Sequence, residues 1–171
     1  MGKALAMICV FSCCTLAGLM VSSRLKQRTD CLESLIGSVR HLRAKLDFTV
    51  LPLFELVKKI GDSRSQVLWT SFSLKLEHGS NVKEAWAEAL DEASSQESMF
   101  ASLKDKELNA LSDFFSSLGK HDLATQRKGI DVIEIELREC LEAAKTELTK
   151  KGKLYSSFGI LAGLCGVIII W

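Results

Sequence analysis

The sequence predicts an all-α protein, a bundle of about six helices between an N-terminal and a C-terminal transmembrane helix. In the centre, apolar residues recur every three or four positions, which is the helical period, and no alternating strand pattern occurs. At the ends, Ala4 to Val21 and Leu154 to Trp171 are uncharged apolar runs of 18 residues each. We therefore predict a first transmembrane helix over 1–22, a helical-bundle domain over 23–153 and a second transmembrane helix over 154–171.

The N-terminal run is open to two interpretations. Met1-Gly2-Lys3 before an apolar stretch is typical of a secretory signal peptide, and Ala17-Gly18 offers a small-residue context for cleavage. However, the run of 18 residues exceeds the usual signal core of about 7 to 15 residues. Because the chain ends in a second run of the same length, the pattern favours a membrane anchor.

Basic residues predict the orientation of the two spans. Each span would be about 27 Å long as a helix, slightly less than a hydrocarbon core of about 30 Å. Lysine and arginine crowd the inner end of each span: Arg24, Lys26, Arg28, Lys145, Lys150, Lys151 and Lys153. Since cytoplasmic flanks carry the basic excess, we expect the central domain to be cytoplasmic.

Small residues follow one face of the C-terminal segment. Gly152, Ser156, Gly159, Gly163 and Gly166 recur at alternating steps of four and three residues. Small residues let helix backbones approach closely in lipid. We therefore predict membrane packing at Gly159, Gly163 and Gly166, either within one chain or with another protein. The alternative is that glycine is simply commoner in membrane helices.

The first half of the central domain reads as three helices. Ser23–Leu46 continues the first span with an apolar seam, and Pro52 is well placed to begin a short helix that ends at Gly61. Ser63–Glu77 follows and is closed by Gly79.

The second half also reads as three helices. Ser80 or Asn81 caps a helix that runs to about Ala93, and the polar stretch Ser94–Ser98 reads as a loop or a frayed helix end. Leu103–Leu118 and Asp122–Lys153 complete the set. Because the first and last helices would leave the same membrane face, we expect them to be antiparallel neighbours.

Composition and motifs argue against several functions. Between Arg24 and Lys153 there are 21 basic and 21 acidic residues, whereas a nucleic-acid binder normally shows a basic excess. The six cysteines contain no C-x-x-C spacing, so we expect no metal site. No phosphate-binding glycine loop, nucleophile elbow or HExxH motif occurs. We expect no enzyme activity, no cofactor, no nucleic-acid partner and no small-molecule substrate.

The segment Leu118-Gly119-Lys120-His121-Asp122 is the most specific motif. Gly119 suits a left-handed helix end and Asp122 an N-cap, so the segment has a structural explanation as a capped turn. A docking role for Lys120, His121 and the following Gln126 is compatible with that explanation. We predict Gly119 and Asp122 as structural caps and the other three residues as partner contacts.

This motif and several other segments resemble the stage III sporulation protein AB family. The similarity rests on the turn with Gln126, Lys128 and Ile130, on Leu42-Arg43-Ala44-Lys45-Leu46, on Phe48, on Pro52-Leu53 and on the two terminal spans. The sequence departs from the family at Lys45, where an acidic residue is expected, and at Leu51, where a polar cap is expected.

The resemblance implies a multi-pass protein of the mother-cell membrane around the forespore, in spore-forming bacteria. The family is similar to the inner-membrane platform proteins of type II secretion, which couple a cytoplasmic ATPase to a membrane apparatus. The expected partners are a secretion-type ATPase, stage III sporulation protein AA, and the other membrane subunits of the sporulation channel. The alternative is a membrane-tethered helical adaptor that recruits some other cytoplasmic protein.

Overall fold

Six α-helices account for most of the residues that the structure describes. The computed structural model describes residues 2–48, 53–96, 99–118 and 122–152, together with Leu154, Ser157 and Leu161. The helices are α1 Gly2–Phe48, α2 Leu53–Lys58, α3 Gln66–Glu77, α4 Val82–Gln96, α5 Asp105–Ser117 and α6 Leu123–Glu147, with a 3-10 helix at Phe100–Ser102 and a π-helix at Leu148–Gly152. These ranges contain no strand, and the prediction of an all-α protein with about six helices is confirmed.

The two flanking transmembrane helices remain a prediction. Among the residues that the structure describes, no helix combines the length and the apolar character needed to cross a membrane. The predicted packing residues Gly159, Gly163 and Gly166 lie outside the described residues.

The chain divides into two compact units. Met1–Thr29 and Ala143–Trp171 form one, which we call the terminal unit, and Asp30–Glu142 forms the other, the central unit.

In the terminal unit, α1 and the C-terminal segment run antiparallel. Arg28 Nη1 lies 3.0 Å from Glu147 Oε2, and this arginine side chain is only 7% exposed. Farther toward the N-terminus of α1, Ser22 Oγ would lie 3.5 Å from a Cβ added at Gly152. Positions that precede Arg28 therefore face positions that follow Glu147, as the sequence predicts for the first and last helices.

Aromatic side chains fill the core of the central unit. Trp69 and Phe72 of α3, Trp86 of α4 and Phe115 of α5 are all buried. The rings of Trp86 and Phe115 stack with centroids 4.2 Å apart, and Phe72 packs edge-on to both. Each such pair adds about 0.5–1.5 kcal/mol beyond the burial of apolar area. The cluster therefore joins α3, α4 and α5 into one core.

The first and last helices pair in the central unit as well. Arg40 Nε donates to Glu134 Oε1 at 2.7 Å, and Arg43 forms an ion pair with Asp131 one turn farther along. The guanidinium of Arg40 contributes most to holding the pKa of Glu134 below its usual value, and Arg138 adds to the same effect. The predicted apolar seams of these helices are buried at Leu32, Leu35, Val39, Leu42, Ile130, Ile133 and Leu137.

A turn between α2 and α3 delays the start of α3. Helix formation from Ser63 was expected, but α3 begins at Gln66. The reason is Asp62, whose Oδ1 accepts the backbone N–H of Arg64 at 3.1 Å and of Ser65 at 2.8 Å. The amides that an earlier helix start would use are thus bound to a carboxylate in a turn.

Asp62 also binds two buried hydroxyl groups. Ser34 Oγ of α1 and Ser65 Oγ each donate to Asp62 Oδ1 at 2.7 Å. Burial alone would raise the pKa of the Asp62 carboxyl, but the hydrogen bonds from Ser34 and Ser65 outweigh it and lower the pKa to about 2. Next to this turn, Gly61 is required because an added Cβ would lie 2.5 Å from Trp69 Cδ1. We call these residues the Asp62 turn.

The α3–α4 connection follows the predicted glycine stop. Gly79 has φ +83°, a backbone conformation that glycine adopts without strain. Its N–H donates to Leu76 O, and Ser80 N–H donates to Lys75 O, which closes α3 as a Schellman motif. Of the two candidate caps, Asn81 begins α4, because its Oδ1 accepts the N–H of Lys83 at 3.1 Å.

Two features stand out after the predicted end of α4. Of the two alternatives for the stretch from Ser94, a loop or a frayed helix end, the structure shows helix in its first part, because α4 continues to Gln96. Ser95 Oγ donates to Glu92 O within the helix, so this serine hydroxyl does not interrupt it. The 3-10 helix that begins at Phe100 was not predicted, and its buried phenylalanine packs into the core.

Candidate functional site

The predicted docking turn is described only in part. Gly119, Lys120 and His121 lie outside the described residues, so their predicted roles remain untested. Asp122 and Gln126, on the other side of the turn, are described, and both belong to the start of α6.

Asp122 stands at the N-cap position of α6. Its Oδ2 lies 3.4 Å from the backbone nitrogen of Thr125, and its carbonyl accepts the N–H of Gln126 at 3.0 Å. Hydrogen bonding from Thr125 lowers the pKa of the Asp122 carboxyl, and the side chain is exposed to solvent. This geometry is that of an N-cap whose side-chain hydrogen bond is long.

Gln126 lines a groove between α5 and α6. One hollow of about 300 Å³ contains Gln126, and a second of about 330 Å³ adjoins it. The two share Phe114, Ser117, Gly129 and Val132, so they form one continuous surface, which we call the α5–α6 groove.

The apolar part of the groove is formed by Phe114, Gly129 and Val132. Phe114 is buried, and a Cβ added at Gly129 would lie 3.9 Å from its Cε2, an ordinary contact distance. Beside it, Val132 is 55% exposed, whereas Ile130 and Ile133 of the same helix are buried. One turn away along α6, Ile135 is 58% exposed. These side chains offer contact area without being needed for the core.

The polar rim of the groove is charged at both ends. Asp113 and Glu136 border the hollow on one side, and Lys128 borders the other. A patch with an apolar centre and a charged rim is the usual form of a protein-binding surface. The groove therefore has the features of a docking site, with Gln126 at one end of it.

A larger hollow on α3 and α4 is less suited to docking. It measures about 450 Å³ and is lined mainly by polar side chains. Lys75 Nζ lies 3.0 Å from Glu88 Oε2 and 3.9 Å from Glu92 Oε2, and Ser71 donates to the same Glu92 carboxylate. These groups already satisfy one another, so a partner would have to replace existing interactions.

The described residues offer little for catalysis or metal binding. No cluster of three or more histidine, cysteine or acidic side chains in the described ranges could hold a metal ion. Cys31 and Cys140 are buried, and burial raises the pKa of the Cys31 thiol, with smaller contributions from Glu107 and Asp62. A protonated, buried thiol is a poor nucleophile.

Sequence reasoning found Gln126 but missed the rest of the groove. Val132 interrupts the polar face of a helix whose core positions are Ile130, Ile133 and Leu137, and that irregularity was visible in the sequence. The glycine at position 129 was a second signal, since glycine is unfavourable inside a helix without a reason.

Comparisons with known proteins agree with one another. Residues 3–171 match the family described as Stage III sporulation protein AB. The chain is 26% identical over 172 residues to Stage III sporulation protein AB of Bacillus subtilis (strain 168), with 98% of each chain covered. A solved structure of Stage III sporulation protein AB superposes with a TM-score of 0.60 at 24% identity, over 71% of this chain and 96% of that one. The structural similarity supports the helical fold.

Proposed function

Because the chain belongs to the stage III sporulation protein AB family, a family of sporulation proteins, we propose that it is a platform subunit of the sporulation channel. In this role it is not an enzyme, and it couples a cytoplasmic ATPase to the membrane complex between mother cell and forespore. The observation that carries the proposal is the family match over residues 3–171, which includes both apolar ends as well as the helical domain.

The apolar ends support the membrane part of the proposal. Among the described residues of the terminal unit, six large apolar side chains are 40% or more exposed: Leu16, Leu19, Met20, Val21, Leu154 and Leu161. Exposed apolar surface, where it is contiguous, marks a site for protein or membrane contact. We place 1–22 and 154–171 in the mother-cell membrane and the helical domain in the cytoplasm.

The α5–α6 groove supports the partner part of the proposal. The turn with Lys120 and His121 precedes Gln126, which lines the groove. The sequence of the central unit contains 14 basic and 20 acidic residues, a formal charge of −6. An apolar groove on an acidic unit, with Asp113 and Glu136 on its rim, complements a basic partner surface that presents an apolar side chain. We assign this surface to stage III sporulation protein AA.

The test is binding of the ATPase to paired variants of the full chain. Gln126→Ala with Val132→Ser changes the groove, whereas Gln66→Ala with Leu74→Ser makes the same substitutions on the α3–α4 hollow. Leu74 is 45% exposed, comparable to Val132. We expect the groove variant to raise the Kd about tenfold or more, which corresponds to about 1.4 kcal/mol, and the control to leave it unchanged.

Two results would contradict the proposal in different ways. If both variants weaken ATPase binding equally, or if neither weakens it, the groove is excluded as the docking site. If the unaltered chain in detergent or nanodiscs shows no binding of the ATPase, the coupling role itself fails. A second pair, Lys120→Ala with His121→Ala, measures whether the turn contributes beside the groove.

A further inference from the structure

The two units carry opposite charge. The sequence of the terminal unit contains eight basic residues and one acidic residue, a formal charge of +7, although the whole chain has a net charge of +1. This separation is hidden in the linear sequence, because the terminal unit is assembled from both ends of the chain. A local excess of positive charge of this size attracts anionic partners.

The single carboxylate side chain of this unit neutralises only a small part of the charge. Glu147 accepts from the largely buried Arg28 and from Lys151, each at 3.0 Å. Arg24, Lys26 and Lys150 are exposed, and no acidic side chain among the described residues forms an ion pair with them. These three residues, which we call the basic triad, present their charges to the surroundings.

The basic triad lies next to apolar surface in the sequence and in the same unit. Arg24 follows the exposed Val21 after two serines, and Lys150 stands four residues before the exposed Leu154. Charged groups that border an apolar, exposed segment match the layered chemistry of a lipid, with its acyl chain beside its headgroup. An anionic headgroup near such lysine and arginine residues strengthens membrane binding.

We propose that the basic triad of the terminal unit binds the phosphate groups of anionic phospholipids. The inference rests on the membrane insertion proposed above and adds a lipid preference to it. The triad selects anionic lipid over zwitterionic lipid, while the apolar ends supply insertion that does not depend on lipid charge.

The experiment compares three full-length proteins in vesicles. The first is unaltered, the second carries Arg24→Gln, Lys26→Gln and Lys150→Gln, and the third carries Lys58→Gln, Lys59→Gln and Lys83→Gln. The control lysines are exposed residues of the central unit, so both variants lose three positive charges. Energy transfer to headgroup-labelled phosphatidylglycerol or phosphatidylcholine, in mixed vesicles of both lipids, measures which lipid surrounds the protein.

We expect the unaltered protein and the control to enrich phosphatidylglycerol around themselves. One basic residue near an anionic surface strengthens binding about fivefold. The triad variant loses three such residues, so the enrichment should fall at least about fivefold. Inorganic phosphate should displace no more lipid than sodium chloride does at the same ionic strength. Displacement by phosphate alone, equal enrichment in all three proteins, or equal loss in both variants would overturn the inference.

A separate readout distinguishes this failure from failure of the membrane proposal. Alkaline carbonate washing tests insertion in vesicles of phosphatidylcholine alone and in the mixture. Retention of all three proteins without lipid preference would overturn only the triad. Release of the unaltered protein from both kinds of vesicle would overturn membrane insertion, and the inference that rests on it.

Discussion

Asp62 lies in the turn before α3 and Asp122 stands at the N-cap position of α6, and the surroundings of these two carboxylates differ greatly. Asp62 accepts from two backbone amides and from the hydroxyls of Ser34 and Ser65, which are 3% and 0% exposed. Asp122 is exposed, and its Oδ2 lies 3.4 Å from the backbone nitrogen of Thr125. The pKa of each carboxyl is lowered. At Asp62, burial raises the pKa but the hydrogen bonds from Ser34 and Ser65 outweigh it, and at Asp122 hydrogen bonding from Thr125 lowers it. The comparison shows that the contribution of such a carboxylate to stability depends on which other groups it binds.

The largest effect is expected from Asp62→Ala. The substitution leaves the buried Ser34 and Ser65 hydroxyls without their acceptor and frees the turn amides, so we expect a loss of about 2–3 kcal/mol. Urea unfolding of the full chain in detergent, followed by the fluorescence of Trp69 and Trp86 in a Trp171→Phe background, measures it. A loss below that of Asp122→Ala would show that the buried network contributes nothing beyond a cap.

Acid should expose the same difference. The pKa of Asp62 is lowered from 3.8 to about 2, so its stabilisation is fully present above pH 3.8 and is lost as the pH falls toward 2. The unaltered protein should therefore lose more stability across this range than Asp62→Asn, which has no carboxyl to protonate. Asp122 and Glu134, also with lowered pKa values, are common to both proteins and cancel. Parallel stability curves would contradict the assignment.

The smallest effect is expected from Asp122→Ala. Its carboxylate is exposed and forms a long hydrogen bond, so the unfolding midpoint should fall slightly, and by less than in Asp62→Ala. Asp122→Ser, which keeps a capping oxygen, should restore the midpoint. A drop as large as that of Asp62→Ala would mean that the turn before α6 makes contacts beyond the cap.

Local patterns in the sequence predicted the helices well, and contacts between distant residues limited the rest. The seam at Leu32, Leu35 and Val39 was identified because helical periodicity is visible within a few turns. The late start of α3 comes from a local turn, in which Asp62 accepts the N–H groups of Arg64 and Ser65. The bond from Ser34, 28 residues earlier in the chain, could not be predicted from any local pattern.

The candidate site shows the same limit. The resemblance of the turn to a known family pointed to Gln126, but the α5–α6 groove is formed by residues of two helices, with Phe114 of α5 beside Gly129 of α6. Likewise, the neutral balance between Arg24 and Lys153 was correct as a count, yet it concealed the opposite charges of the two units. Composition is counted along the chain, whereas a surface is formed by residues that can be far apart in the chain.

The burial of Cys31 and Cys140 makes the central unit chemically silent toward thiol reagents. They are its two cysteines, both are enclosed, and the pKa of Cys31 is raised by burial. Oxidants and maleimides react with accessible thiolates, and neither cysteine of this unit is accessible. A cysteine introduced at the exposed Asn109 would therefore be the reactive thiol of the domain, and the compartment in which it is labelled would be the compartment of the domain itself.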